Sequence, residues 1–134
     1  MRYMLLIYSS ERADAQANPA EMQAIMQAHR AVMEGTSRAG ILKGAEPLHP
    51  TNTATTVRHE NGKVVTIDGP FAETKEQLGG YYILECKDLD EAIHWASQIP
   101  AASKRGTGCV EIRPILDLAE LEKQIKQAAG QAAV

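Results

Sequence analysis

His29 is the side chain in this sequence best suited to proton transfer. It follows Met26 by three residues and Met22 by seven, on the apolar stripe of a helix that faces a sheet. A histidine there can act as general acid or base beside a carboxylate, because its pKa lies near neutrality. The same position also suits a core-edge histidine bonded to a backbone group. Asp68 is the carboxylate that would complete a catalytic pair, although an Asp before Gly-Pro also bonds the amides of its own turn. Four further residues are candidates for binding a substrate: Glu73, Lys75, Glu111 and Arg113. Lys75, flanked by Glu73 and Glu76, can hold an anion or simply belong to a solvated, salt-bridged loop. Glu111 and Arg113 alternate with Val110 and Ile112 and so share one face of a strand. An arginine so placed can grip a carboxylate bidentately, or it can serve an inter-subunit ion pair or guard an edge strand.

Other chemistries lack their residues. His49, His59 and His94 read as loop, hairpin and exposed-helix positions, and neither they nor Cys86 and Cys109 show metal-ligand spacing. No metal and no organic cofactor are expected. There is no G-x-G-x-x-G, Walker loop or serine elbow. A net charge of -3 and a pI near 5.8 argue against nucleic acid as a partner. The run Met4–Tyr8 is too short for a signal peptide, and no stretch approaches a membrane span, so a cytoplasmic location is expected. The isolated pair Lys104-Arg105 reads as a solvated loop. Both cysteines are expected to pack as small apolar residues and to stay reduced.

The elements that must position these groups follow from hydrophobic period and turn chemistry. Tyr3–Tyr8 is a near-continuous apolar run, the pattern of a strand covered on both faces. Asn18, Pro19 and Glu21 open a helix as N-cap, N1 and capping-box residues. That helix carries Met22, Ile25, Met26, Val32 and Met33 and ends before Gly40, with Gly35 weakening it slightly. Residues 41–48 form a second strand. Residues 53–59 and 63–67 form a hairpin through Asn61-Gly62, because both residues tolerate positive φ. Residues 80–86 make the next strand. Asp88 and Glu91 start a helix with Leu89, Ala92, Ile93, Ala96 and Ile99 inward, stopped by Pro100. Residues 109–115 are the last strand. Asp117 caps a short amphipathic helix with Leu118, Leu121 and Ile125, and residues 127–134 are expected to fray.

The order is β-α-β, hairpin, loop, β-α-β, α. It predicts a single domain over residues 1–134, with 118–134 a C-terminal helix and tail. The class is α+β: a ferredoxin-like antiparallel sheet with an added hairpin and both main helices on one face. The central strands are apolar on both faces, so something must cover the second face. A second copy of the same sheet is the economical answer, which predicts a homodimer.

Between the hairpin and the fifth strand lies Asp68-Gly69-Pro70-Phe71-Ala72-Glu73-Thr74-Lys75-Glu76, followed by Gly79-Gly80. Phe71 is expected as a buried anchor, and the glycine pair as a hinge or a place of close backbone approach. The nine residues resemble the signature of the DGPF-type proteins of the YCII-related family. The likeness extends to Tyr3-Met4-Leu5, residues 54–58 and residues 110–114. It implies a dimeric α/β-barrel fold with a pocket between helix, sheet and partner. It also implies a His–Asp pair, with the histidine near the start of the first helix, where Met22 stands here. The barrel fold is shared with muconolactone isomerases and a dechlorinating enzyme, an analogy of fold alone. The expected function is small-molecule binding, with cofactor-independent acid–base chemistry of isomerase or lyase type on a small carboxylate. The alternative is a non-catalytic ligand-binding or regulatory protein, since DGPF proteins are associated with extracytoplasmic-function sigma factors.

Overall fold

A computed structural model describes residues 1–100 and 108–132, so the Lys104-Arg105 pair lies outside the described residues. The elements are β1 (Arg2–Ser9), α1 (Glu11–Asp14), α2 (Pro19–Arg38), β2 (Leu42–Pro47), a 3-10 turn (Thr51–Thr53), β3 (Thr55–Glu60), β4 (Lys63–Asp68), β5 (Gln77–Glu85), α3 (Leu89–Ala96), β6 (Cys109–Pro114) and α4 (Leu118–Ala132). Four strands form one antiparallel sheet in the order β2-β5-β1-β6, and β3 and β4 form a separate hairpin. This is the α+β class expected. The sheet is open, with β2 and β6 at its edges, so the barrel implied by the resemblance does not close within one chain.

Local chemistry sets the boundaries. Asn18 Oδ1 accepts the Glu21 amide at 2.8 Å, and Pro19 occupies the first turn of α2. Asp88 Oδ1 accepts the Glu91 amide at 2.9 Å at the start of α3, and Asp117 Oδ1 accepts from Ala119 before α4. Each bond satisfies an amide that the helix itself leaves unpaired. Asn61 and Gly62 both have positive φ, 51° and 77°, and join β3 to β4. Two short elements, α1 and the 3-10 turn, add to those expected from the sequence. α1 is capped by Ser10, whose hydroxyl accepts the Ala13 amide. The 3-10 turn is clamped by Glu11, whose two carboxylate oxygens accept the Thr51 amide and hydroxyl, each at 2.8 Å.

Alternation along the strands divides the sheet into two faces. Tyr3, Leu5, Tyr82 and Leu84 are buried with Val32 of α2, Ala92 of α3, Cys86 and Ile99 in one core. Met4, Leu6 and Tyr8 point the other way, opposite Ile83, Tyr81 and Cys109 of the neighbouring strands, and are only partly covered.

The two main helices sit on the first face, but unevenly. In α2 only Val32 (2% exposed) and Thr36 (0%) are buried, both in its C-terminal half. Gly35 between them is where α3 makes its approach. A Cβ there would stand 2.9 Å from two ring carbons of Trp95, inside van der Waals contact. Gly35 therefore admits an indole ring, and the small cost to helix propensity is offset by that packing. Met22 and Met26, at the other end of the stripe, are 57% and 60% exposed. Of the stripe expected to press on the sheet, only Val32 is buried; Met33 beyond it is 42% exposed.

Several expectations are corrected. In α3 the inward residues are Ala92, Trp95 and Ala96, while Leu89 and Ile93 are exposed, because Trp95 rather than Ile93 takes the space beside Gly35. Phe71 is 75% exposed: its turn projects from the sheet and no core residue reaches it. Cys86 is buried, but Cys109 lies exposed on the uncovered sheet face; both are free thiols. Burial, with Glu91 adding to it, pushes the Cys86 thiol up to about 11. α4 continues to Ala132 instead of fraying at residue 127. Gly79-Gly80 is no hinge. It lies within β5, and Gly80 lets β2 approach so closely that a Cβ would lie 2.8 Å from the Glu46 carbonyl oxygen.

Three stability tests follow from these placements. Gly80→Ala should cost about 1–3 kcal/mol, because backbone atoms of β2 must move. Gly40→Ala, with open space and φ of 76°, should cost only about 1–2 kcal/mol of backbone strain. Phe71→Ala should leave the denaturant midpoint nearly unchanged, within about 0.5 kcal/mol. A loss of several kcal/mol there would place the ring in a core.

Candidate functional site

A cleft of about 1050 Å³ opens between α2, along its length from Met22 to Arg38, and the β1, β5 and β2 end of the sheet. Met22, Ile25, Met26 and Met33 of the helix and Ile7, Leu42, Ala45 and Pro47 of the sheet give it mostly apolar walls. Gly79 and Gly80 form part of the floor. Asp14, Arg30, Glu34, Arg38 and Glu46 bring charge to it; of these, Arg30, Glu34, Arg38 and Glu46 are exposed and stand at the rim. Asp14 is fixed by Ser9, whose hydroxyl donates to Oδ2 at 2.6 Å.

The polar feature of the apolar wall is a pair. His29 Nδ1 lies 3.0 Å from the Tyr82 hydroxyl oxygen, and the two rings run nearly parallel, 13° apart with centroids separated by 6.1 Å. Tyr82 also donates its hydroxyl hydrogen to the backbone carbonyl of His29, at 3.4 Å. Both rings line the cleft. A phenol carries one hydrogen, so both contacts are satisfied together in one way only. Tyr82 donates to the carbonyl, and His29 donates its Nδ1–H to the Tyr82 oxygen. Nε2 then carries the lone pair, and it has no protein partner among the described residues. Burial holds the His29 pKa below its usual 6.5 and pushes that of Tyr82 up, so the imidazole is neutral and the phenol protonated at neutral pH. A neutral imidazole held in that tautomer has the chemistry to accept a proton at Nε2.

His29 thus lines a cavity, as the proposed chemistry requires, but the other five candidates do not line it. Asp68 is exposed at the end of β4, in a hairpin that pairs with no strand of the main sheet. Glu73 and Lys75 are exposed in the loop that follows. Glu111 and Arg113 pair with each other at 2.5 Å on the sheet face turned away from α2. The carboxylate expected near His29 is instead a phenol. Tyr82 was visible in the sequence only as one residue of a strand alternation. The signal that points to it is general: a tyrosine on the buried face of a central strand must find a partner for its hydroxyl.

The signature loop works as a structural junction. The Gly69 amide (φ 107°) bonds the Ala54 carbonyl at 2.7 Å, and the Gly69 carbonyl accepts from the Thr56 hydroxyl, closing the base of the hairpin. Glu76 accepts the Gly108 amide at 3.0 Å and so fixes the entry to β6. Gln77, next in the chain, accepts the amide of Glu11 and donates to the Thr74 carbonyl. Hairpin, α1 and β6 are tied together around the end of the sheet where the cleft opens. Among the described residues no group of three or more His, Cys, Asp or Glu gathers as a metal site, and no helix is long and apolar enough to cross a membrane.

Comparison with known proteins agrees with the resemblance carried by that loop. The sequence profile of the YCII-related domain matches residues 1–119, which leaves nearly all of α4 beyond it. An uncharacterized protein of Rhizobium meliloti (strain 1021) is 39% identical over 115 residues, covering 86% of this chain and 92% of the relative. A profile match over most of the chain, joined to a relative of that identity and coverage, shows that this chain belongs to the YCII-related family.

Proposed function

We propose that the cleft binds a small molecule and that His29, steered by Tyr82, takes a proton from it. The observation that supports this reading is the 3.0 Å His29–Tyr82 contact on the wall of a mostly apolar cavity. Proton abstraction followed by return at another carbon is isomerisation; loss of a leaving group instead is elimination. Both need a base that is neutral at working pH; the abstracted proton is held on Nε2, making the imidazolium, until it is returned to the other carbon or handed to the departing group. The expected carboxylate anchor, Arg113, lies on the opposite face, so it takes no part in this reading.

The test is exchange of α-hydrogens of medium-chain aliphatic ketones such as 2-octanone with deuterium oxide. Catalysed exchange is expected, and His29→Ala should lower it by roughly 10²–10⁴-fold with the fold intact. Saturable binding of those ketones without any exchange would contradict the catalytic reading and favour a ligand-binding or regulatory role.

A stability experiment checks the environment of the base independently. The folded pKa of His29 is depressed, so between that value and 6.5 the unfolded chain binds more protons than the folded one. Stability therefore rises with pH through that window and is lost as pH falls through it. In His29→Gln this part of the pH dependence should disappear from denaturant titrations. An unchanged slope would mean that the ring is solvated.

The partly covered sheet face supports a homodimer. Met4, Leu6, Tyr81 and Ile83 form a contiguous apolar patch there, flanked by the Glu111–Arg113 pair. Two such faces packed together would complete the family's dimeric barrel. Sedimentation should give a dimer, and Leu6→Glu should shift it to monomer; a monomeric wild-type chain would exclude this assembly.

A further inference from the structure

The walls of the cleft, and not only its ring pair, carry information about the ligand. A carboxylate entering the apolar interior would have to shed its water, and an unpaired charge in such surroundings is costly. Compensation needs a cation in the wall. The cations lining the cleft among the described residues, Arg30 and Arg38, are both exposed on α2, where water screens whatever they bind. The helix wall instead offers four thioether or branched side chains, Met22, Ile25, Met26 and Met33. Methionine adapts to irregular apolar shapes, and this wall is already partly open to solvent without a ligand. The volume, about 1050 Å³, stands at the upper end of the range for pockets that take drug-sized ligands. A short carboxylic acid fills a small part of that space and leaves the methionines wet.

The polar requirement is equally specific. With Nδ1 committed to Tyr82, the remaining function of His29 is an acceptor, Nε2. An acceptor in an apolar wall calls for a ligand that brings a hydrogen-bond donor and no charge. We propose that the cleft takes a neutral, mainly apolar molecule that presents a single proton-donating group to His29, in place of the small carboxylate expected from the sequence. This rests on the reading of His29 as an acceptor, and goes beyond it by fixing the charge and polarity of what binds.

The experiment uses three probes of matched length, 1-octanol, methyl heptyl ether and octanoate, in calorimetric titrations of the whole chain at pH 8. The alcohol donates a hydrogen bond, the ether only accepts, and octanoate carries a charge. Octanol should bind about 5–10-fold tighter than the ether, the worth of one hydrogen bond to an otherwise unpaired acceptor. It should bind at least about 10-fold tighter than octanoate. His29→Phe should erase the alcohol–ether difference, and Tyr82→Phe should reduce it if His29→Phe proves poorly folded by circular dichroism. Met26→Glu, on an exposed part of the wall, should weaken alcohol and ether alike. Octanoate binding as tightly as octanol, with the His29 stability signature intact, would overturn the ligand class and leave the acid–base reading standing. An alcohol–ether preference that survives His29→Phe would instead remove His29 from the site. Failure of all three probes to bind would overturn the cleft as an apolar binding site.

Discussion

Helix α2 is anchored at one end, and most of what is distinctive in this molecule depends on that. Its C-terminal half is locked by Val32 and Thr36 in the core and by Trp95 seated against Gly35. The Thr36 hydroxyl donates to the Val32 carbonyl at 2.7 Å, so the buried polar group costs little. The N-terminal half has no such anchor, and its methionines line open space where a shorter or fully packed helix would leave none. His29 lies at the transition, close enough to the sheet to reach Tyr82 and far enough along the helix to face the cleft. A glycine two turns away in the helix thereby helps decide where the imidazole sits.

The chemistry proposed for the site rests on two modest effects acting together. Burial alone lowers the His29 pKa and keeps the ring neutral, but it does not choose a tautomer. The tyrosine chooses it, because its one hydroxyl hydrogen goes to the His29 carbonyl and its oxygen is left to accept the Nδ1–H of the same residue. A carboxylate in the place of Tyr82 would hold the same tautomer but would raise the histidine pKa and favour its charged form. A phenol gives orientation without that charge, which suits an apolar cavity.

Much of the framework was legible in the sequence because it is written in local rules. Asn18 and Pro19, Asp88 and Glu91, and Asn61-Gly62 act on their own few residues, and each does what its type dictates. The strand order followed from the two β-α-β halves. What was not legible depended on contacts across long sequence separation. Gly35 reads as a weak point until Trp95, sixty residues later, is placed against it. Phe71 reads as core because it is the sole phenylalanine, yet its turn projects away from the sheet. Of the candidate site, His29 was recognised from helical spacing. Its partner was not, because strand alternation says which face Tyr82 takes and nothing of what stands above it. Glu111 and Arg113 were correctly paired on one face, but which face that was depended on where the helices settled.

The central claim is the protonation state of one ring. Nitrogen-15 NMR of the imidazole side chains at pH 7 reads it directly, with His29 assigned through His29→Gln. The account predicts a neutral ring with the proton on Nδ1 and the lone pair on Nε2. A spectrum showing Nε2 protonated, with Nδ1 accepting from Tyr82, would contradict it, and the cleft would then present a donor where a base is required.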